Sequence, residues 1–279
     1  MKLIDLVTIS DNLFPPQVPT LSASRIKTAK TCARKYYYRY ILPKDKRPKE
    51  QKNVYALKGT ALHKAIELFY TEKKSPKTTF QTVFLETLSQ WQDEGFEIVG
   101  EDISTKVLKD GKLILDTIQW NFKPLSLEYQ FTLPFPNAIN PIVYIEGIID
   151  MINFSEDDLT VSIIDHKSNS KLPPIEDIAH DAQFILYYWA YYQKHHEYPA
   201  HIYWHHLKNG NLYDIPVADS YKQKLQQLEY DIRGILANTL APAQRIAGNY
   251  PPEDEIVFFP RRQLDSECKQ CSYFNLCYP

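Results

Sequence analysis

The sequence has no uninterrupted apolar run long enough to cross a membrane. Residues Met1 to Thr20 mix Lys2, Asp5 and Asp11 with Pro15-Pro16 and lack the apolar stretch of a signal peptide. These two absences place the chain in the cytoplasm, where disulfides are uncommon. Neither sign of charge is in excess. A formal net charge of -2 over 279 residues excludes a wholly basic nucleic-acid binder, so any such contact must come from a local patch. No G-x-x-x-x-G-K-[ST] loop is present, so the chain has no recognisable nucleotide-driven motor. Internal repeats and low-complexity tracts are also missing. Cysteine is scarce, and its distribution is therefore informative. Of four cysteines, three crowd the tail as Cys268-x2-Cys271-x5-Cys277, and the other is Cys32. Three closely spaced thiols lack one ligand for a four-coordinate centre, and Cys32 is the one further cysteine available. A four-thiolate site suits either tetrahedral zinc or an iron-sulfur cluster, and here it would clasp the two ends of the chain.

What the sequence does contain is a hairpin pattern around a cluster of charge. Gly147-Ile148-Ile149-Asp150 and Ile163-Ile164-Asp165-His166-Lys167 flank the polar turn Ser155-Glu156-Asp157-Asp158. Asp165 and Lys167, two residues apart on a strand, share one face at a spacing of roughly 7 Å. The partner strand can bring Asp150 towards them. Two acids beside a lysine form either a divalent-metal site with an adjacent cation or an exposed ion pair at a strand end.

The flanking pattern places this hairpin in an α/β fold with a mixed sheet between helices. Leu21-Ser22-Ala23-Ser24 reads as a helix N-cap. The segment that follows interleaves Arg25, Lys27, Lys30, Arg34, Lys35 and Arg39 with Tyr36, Tyr37, Tyr38 and Tyr40. Cations hold phosphates and rings stack on bases, so this is a candidate single-strand platform, or else a solvated helix face with core tyrosines. A helix over about Val54 to Lys73 carries Gly59 and His63 one turn apart, and two core-forming helices are expected between Thr78 and Phe122. Strands are expected over Leu125–Leu133, Ile142–Asn153 and Thr160–Lys167. Glu128 in the first of these is either an exposed alternate position or a further carboxylate at the site. A helix from about Asp177 to His195 aligns Gln183, Tyr187 and Tyr191. The hairpin His201–Leu207, Lys208-Asn209-Gly210-Asn211, Leu212–Val217 and a helix over Ser220–Leu240 complete the pattern.

In this order, the motifs resemble the RecB-like branch of the PD-(D/E)xK nucleases. Leu21-Ser22-Ala23-Ser24, Cys32-Ala33-Arg34-Lys35-Tyr36, Gly59-x-x-x-His63, Gly147-Ile148-Ile149-Asp150, Asp165-His166-Lys167-Ser168, Gln183-x-x-x-Tyr187 and the cysteine triplet carry the resemblance. It is most similar to the iron-sulfur members, the AddB nuclease domain and the CRISPR-associated exonucleases. The resemblance implies a restriction-endonuclease-like core at 124–245. Around it lie an N-terminal extension at 1–20, a helical region at 21–123 and a cysteine-rich segment at 246–279, all in one compact domain. It implies that Asp150, Asp165, His63 and the backbone carbonyl of His166 hold Mg2+ or Mn2+, with Lys167 orienting the attacking water. Gln183 and Tyr187 would position DNA, helped by Arg25, Arg34 and Lys35, and Cys32, Cys268, Cys271 and Cys277 would hold a [4Fe-4S] cluster. The implied activity is exonucleolytic hydrolysis of single-stranded DNA ends, 5′ to 3′ by preference, in recombination, repair, phage DNA processing or CRISPR adaptation. A helicase, recombination protein or integrase would be the partner. The alternative is a non-catalytic module that binds DNA ends. Two departures from the family pattern, Ala33 for proline and His166-Lys167-Ser168 for Tyr-Lys-Thr, remove no charged catalytic group.

Overall fold

The computed structural model describes residues 20–42, 46–135, 143–169, 171–247, 259–260, 268 and 271–277. All of the expected extension at 1–20 except Thr20, and most of the cysteine-rich segment, lie outside them. A two-residue strand β1 (Thr20–Leu21) leads into helices α1 (Ala23–Thr31) and α2 (Ala33–Tyr36), then a π-helical turn over Tyr37–Ile41. Next come β2 (Lys52–Asn53), α3 (Val54–Glu72), α4 (Pro76–Asp93), β3 (Ile98–Val99) and α5 (Ser104–Ile114). The central strands are β4 (Pro124–Pro134), β5 (Tyr144–Ser155) and β6 (Thr160–Lys167). Helices α6 (Ile175–Ala179) and α7 (Ala182–His195), strands β7 (His201–His206) and β8 (Asn211–Asp214), and helix α8 (Tyr221–Ala247) follow. The final turn of helix is α9 (Phe274–Cys277).

The main sheet is mixed. β5 pairs antiparallel with β4 and β6 and parallel with β1, β6 pairs parallel with β7, and β8 returns antiparallel on β7. Successive residues of β6 point to opposite faces, as the two-residue repeat of a strand requires. Ile163 enters a core shared with Leu21, Ile26, Phe184, Trp189 and Ile232 of β1, α1, α7 and α8. Ile164 enters a second core with Leu62, Ala65, Phe80, Phe84 and Val107 of α3, α4 and α5. The sheet is thus sandwiched between two helical layers, an architecture consistent with a restriction-endonuclease-like fold.

The segment expected as one helix from Asp177 to His195 is two. The chain turns extended at Asp181, whose carboxylate accepts from the Gln183 N–H at 2.9 Å and starts α7 afresh. A side-chain acceptor here outcompetes continuation of the preceding helix. Cys32 likewise interrupts the first helix. It is extended, and its Sγ caps α2 by accepting from Lys35 N–H at 3.5 Å. Gly210, at φ +71, makes the β7–β8 turn, where an added Cβ would lie 2.2 Å from the Thr117 carbonyl oxygen.

Candidate metal centre

The antiparallel ladder between β5 and β6 stops at Met151↔Ile164, one residue short of Asp150 and Asp165. In place of a ladder bond, the buried Asp150 carboxylate accepts from the His166 N–H at 2.7 Å through Oδ2. Helix α3 lays His63 over this opening. Its Nε2 donates to the His166 carbonyl oxygen at 2.8 Å, and its Nδ1 stands 3.4 Å from Asp150 Oδ1. A third group arrives from β4. Glu128 lies between the pairs Leu127↔Met151 and Tyr129↔Ile149, with φ +47. A left-handed glutamate inside a strand costs about 1–2 kcal/mol, the kind of backbone strain that clusters at functional sites. One ligand atom each from His63, Glu128 and Asp150 lies within 4.8 Å of the others. Glu128 is the residue whose place the sequence left open.

Asp165 and Lys167 lie on the face of β6 beneath α7. The fully buried Asp165 carboxylate meets Lys167 Nζ at 2.6 Å. Gln183 ties both: its Oε1 accepts from Lys167 Nζ at 2.9 Å, and its Nε2 donates to Asp165 Oδ1 at 3.0 Å and to Tyr187 Oη at 2.7 Å. The Tyr187 hydroxyl in turn donates to the Ile148 carbonyl of β5. The Trp204 ring lies 5.7 Å from Lys167 Nζ. Asp165 is therefore held in an ion pair beside the His63–Glu128–Asp150 group rather than inside it.

A PD-(D/E)XK nuclease superfamily model matches residues 20–278 of the chain. The chain belongs to the PD-(D/E)XK nuclease superfamily. A search of curated proteins returns no match. Membership implies metal-dependent nuclease activity, with Mg2+ or Mn2+ as the ion and DNA as the ligand. Among the described residues, no helix is long and apolar enough to cross a membrane.

The electrostatics of this PD-(D/E)XK site fit a divalent cation. Burial pushes His63 down, but the Asp150 charge and hydrogen bond, with Asp165 and Glu128 behind them, outweigh it and raise the ring to about 9. Near neutral pH the ring is an imidazolium, with one N–H directed at the His166 carbonyl and the other towards Asp150. Its positive charge sits among acceptors suited to a hard cation. Burial pushes Asp150 up, yet the charge and hydrogen bond of His63, with Lys167 behind them, hold it at about 2. Asp165 moves the other way. Burial raises its carboxyl, Lys167 pulls it back and Asp150 raises it further. Glu128 is also raised, by burial and then by Asp150. Three carboxylates crowd one opening, two of them raised, and a bound cation would relieve both the repulsion and the desolvation. The oxygen-rich donor set suits Mg2+ or Mn2+, and the one imidazole nitrogen favours Mn2+. The His166 ring adds no charge. Burial drives it well below its usual range, and its Nδ1 shares a proton with His205 Nδ1 at 2.9 Å.

The residues expected to touch DNA are placed differently from one another. Gln183 and Tyr187 adjoin the site, as above. Arg25 bonds the Thr20 carbonyl at 2.5 Å, pairs with Glu146 at 3.3 Å and lies over the Tyr40 ring. Arg34 is buried, its Nε donating to the Phe259 carbonyl at 2.6 Å. Both guanidiniums thus serve packing contacts within the fold, whereas Lys35 is partly exposed. The described tail residues pack on the segment that carries Cys32. Phe259 stacks on Tyr37 with centroids 4.7 Å apart, Tyr273 lies 5.3 Å from Tyr38, and the Tyr273 hydroxyl bonds Glu50 at 2.5 Å.

Proposed function

We propose that the protein is a DNA exonuclease of the RecB-like iron-sulfur branch, acting on single-stranded ends. The observation that carries this reading is the placement of the His63–Glu128–Asp150 group directly beside the buried Asp165–Lys167 pair. Asp150, Glu128, His63 and the His166 carbonyl, joined by Asp165, are the groups that would hold the ion. When bound, a divalent cation lowers the pKa of a water ligand and neutralises charge on the phosphate. Lys167, fixed by Asp165 and Gln183, keeps an ammonium at the reacting phosphate, where it orients water and offsets developing negative charge. Gln183 is a positioning residue: it fixes Lys167 and Asp165 in one geometry and anchors α7 to β5 through Tyr187. DNA enters along α7 and the lysine-bearing face of α1 and α2, with Lys35 and Lys27 as its phosphate contacts.

A [4Fe-4S] cluster on Cys32, Cys268, Cys271 and Cys277 belongs to the same reading. The packing of Phe259 on Tyr37 and of Tyr273 on Tyr38 and Glu50 supports it, since it sets described tail residues against the segment that follows Cys32. By the same resemblance, cleavage runs 5′ to 3′ and serves recombination, repair, phage DNA processing or CRISPR adaptation. A helicase, recombination protein or integrase acts alongside it.

End-labelled linear single strands, linear duplex and circular single strands, each incubated with Mn2+, test the reading. An exonuclease degrades the linear strand stepwise from a labelled end and leaves the circle intact. Linearisation of circles would assign an endonuclease instead, and binding of ends without any cleavage would assign the non-catalytic module.

A further inference from the structure

A second opening adjoins the metal centre, at the carboxyl ends of the parallel strands β6 and β7. Its volume is about 880 Å³, and Tyr55, Lys58 and Gly59 of α3, Leu113 at the end of α5, Ser168 after β6 and Lys208 after β7 line it. Two of these positions join it to the reacting groups. Ser168 follows Lys167 in the chain, and Gly59 precedes His63 by one helical turn. A Cβ on Gly59 would reach ordinary contact distance from Ser168 Oγ, 3.4 Å, so glycine keeps the wall open at the point nearest the site.

The lining has the chemistry of a nucleotide pocket. Tyr55 is 52% exposed and Leu113 56%, so an aromatic and an aliphatic residue stand uncovered at its mouth. Among the described residues neither Lys58 nor Lys208 forms an ion pair, although both line the same opening. Burial pushes Lys58 down, Asp110 pushes it back up, and Lys208 pushes it down again. Lys58 Nζ also lies 5.8 Å from the centre of the Tyr55 ring, which places charge and ring on the same side of the opening. Half-buried Lys58 has a single acid nearby and exposed Lys208 has none paired with it, so both gain from an anion, and an exposed ring beside them gains from a base.

We propose that this opening holds the nucleotide adjoining the scissile phosphate, with its base stacked on Tyr55 and its phosphates on Lys58 and Lys208. The proposal rests on the nuclease reading and assigns the substrate strand a path that leaves the centre past Ser168 and Gly59. The path is on the α3 side of the sheet, opposite the face where Gln183 and Tyr187 stand.

The test uses binding rather than cutting, so that it stands apart from the nuclease reading. A set of short single-stranded oligonucleotides, each with 2-aminopurine at one position, is titrated with the full-length protein in EDTA. One position should change its fluorescence on binding. Tyr55→Ala should abolish that change and weaken binding roughly 5- to 100-fold, whereas Tyr55→Phe should retain both. In Lys58→Ala/Lys208→Ala the slope of log affinity against log salt should fall by about 1.4, two phosphate contacts on a single strand. All three side chains project into an open cavity, and unchanged thermal melting of the variants verifies the fold. No binding by the wild type, or binding whose fluorescence and salt slope ignore these variants, would overturn the pocket. Cleavage of the same strands in Mn2+, scored separately, decides the nuclease reading: cutting with an indifferent pocket sinks the proposal alone.

Discussion

His63 must change its protonation state for the centre to hold a metal, and this gives a prediction with a sign and a size. The ring is raised from 6.5 to about 9, so near pH 7.5 roughly 97% of it is imidazolium. A cation can use the ring nitrogen only after the proton leaves. Binding of one Mn2+ at pH 7.5 should therefore displace about one proton from His63, and log affinity should rise by about one for each pH unit up to about 9, then flatten. Stability without metal has the opposite sign. Because the folded value lies above the unfolded one, the His63–Asp150 interaction is fully present below 6.5 and is lost as pH rises through about 9. The span between those values corresponds to about 3 kcal/mol, and the 28% exposure of the His63 side chain reduces it to about 2. Titration calorimetry of Mn2+ in two buffers of different ionisation enthalpy counts the protons. Asp165, also raised, contributes protons of its own, so the decisive quantity is the difference between wild type and His63→Gln. A proton count that this substitution leaves unchanged, or an affinity flat between pH 7 and 9, would refute the assignment of His63 to the centre.

Other substitutions separate chemistry from architecture. Lys167→Ala should lower kcat by about 10²–10⁴-fold while Mn2+ affinity is maintained, as calorimetry and single-turnover cleavage would show together. Gly147→Ala should destabilise by about 1–3 kcal/mol, because the new Cβ would lie 2.4 Å from Phe131 Cζ in a packed core; a denaturant titration with an unchanged midpoint would contradict this. Protein purified without oxygen should be brown and contain iron and acid-labile sulfide in equal amounts, and Cys268→Ala should be colourless and less stable. A colourless wild type holding one zinc would replace the cluster with a zinc site.

The sequence made the charged hairpin legible because two-residue spacing on an apolar strand leaves little choice of face: Asp165 and Lys167 had to stand together. His63 was legible through its spacing from Gly59 and the family resemblance, and Gln183 and Tyr187 through their four-residue interval. Glu128 was legible only as one of two alternatives, since its orientation depends on a left-handed backbone at one residue of β4, and no local composition announces that. The break at Asp181 was hidden for a related reason. Asp181 looks like an ordinary polar helix position until its carboxylate is seen to take the Gln183 N–H, and that capping bond begins the helix that presents Gln183. Arg34 shows the reverse error. In the sequence it is one cation of a basic, tyrosine-rich run, and burial against Phe259 turns it into a packing residue. Charge in a pattern predicts a solvated or ligand-facing group only when no distant carbonyl claims it, and the partner here is 225 positions away.

The proposed function assigns metal-dependent DNA hydrolysis to the Asp150, Asp165 and Lys167 cluster, with His63 and Glu128. The most direct test compares wild type and Asp165→Ala on end-labelled single-stranded DNA, with Mn2+ and with EDTA. Cleavage by the wild type only, lost in EDTA, is the result expected. Equal cleavage by both proteins, or an intact strand with both although the wild type is folded and binds Mn2+, would show that this cluster does not cut DNA.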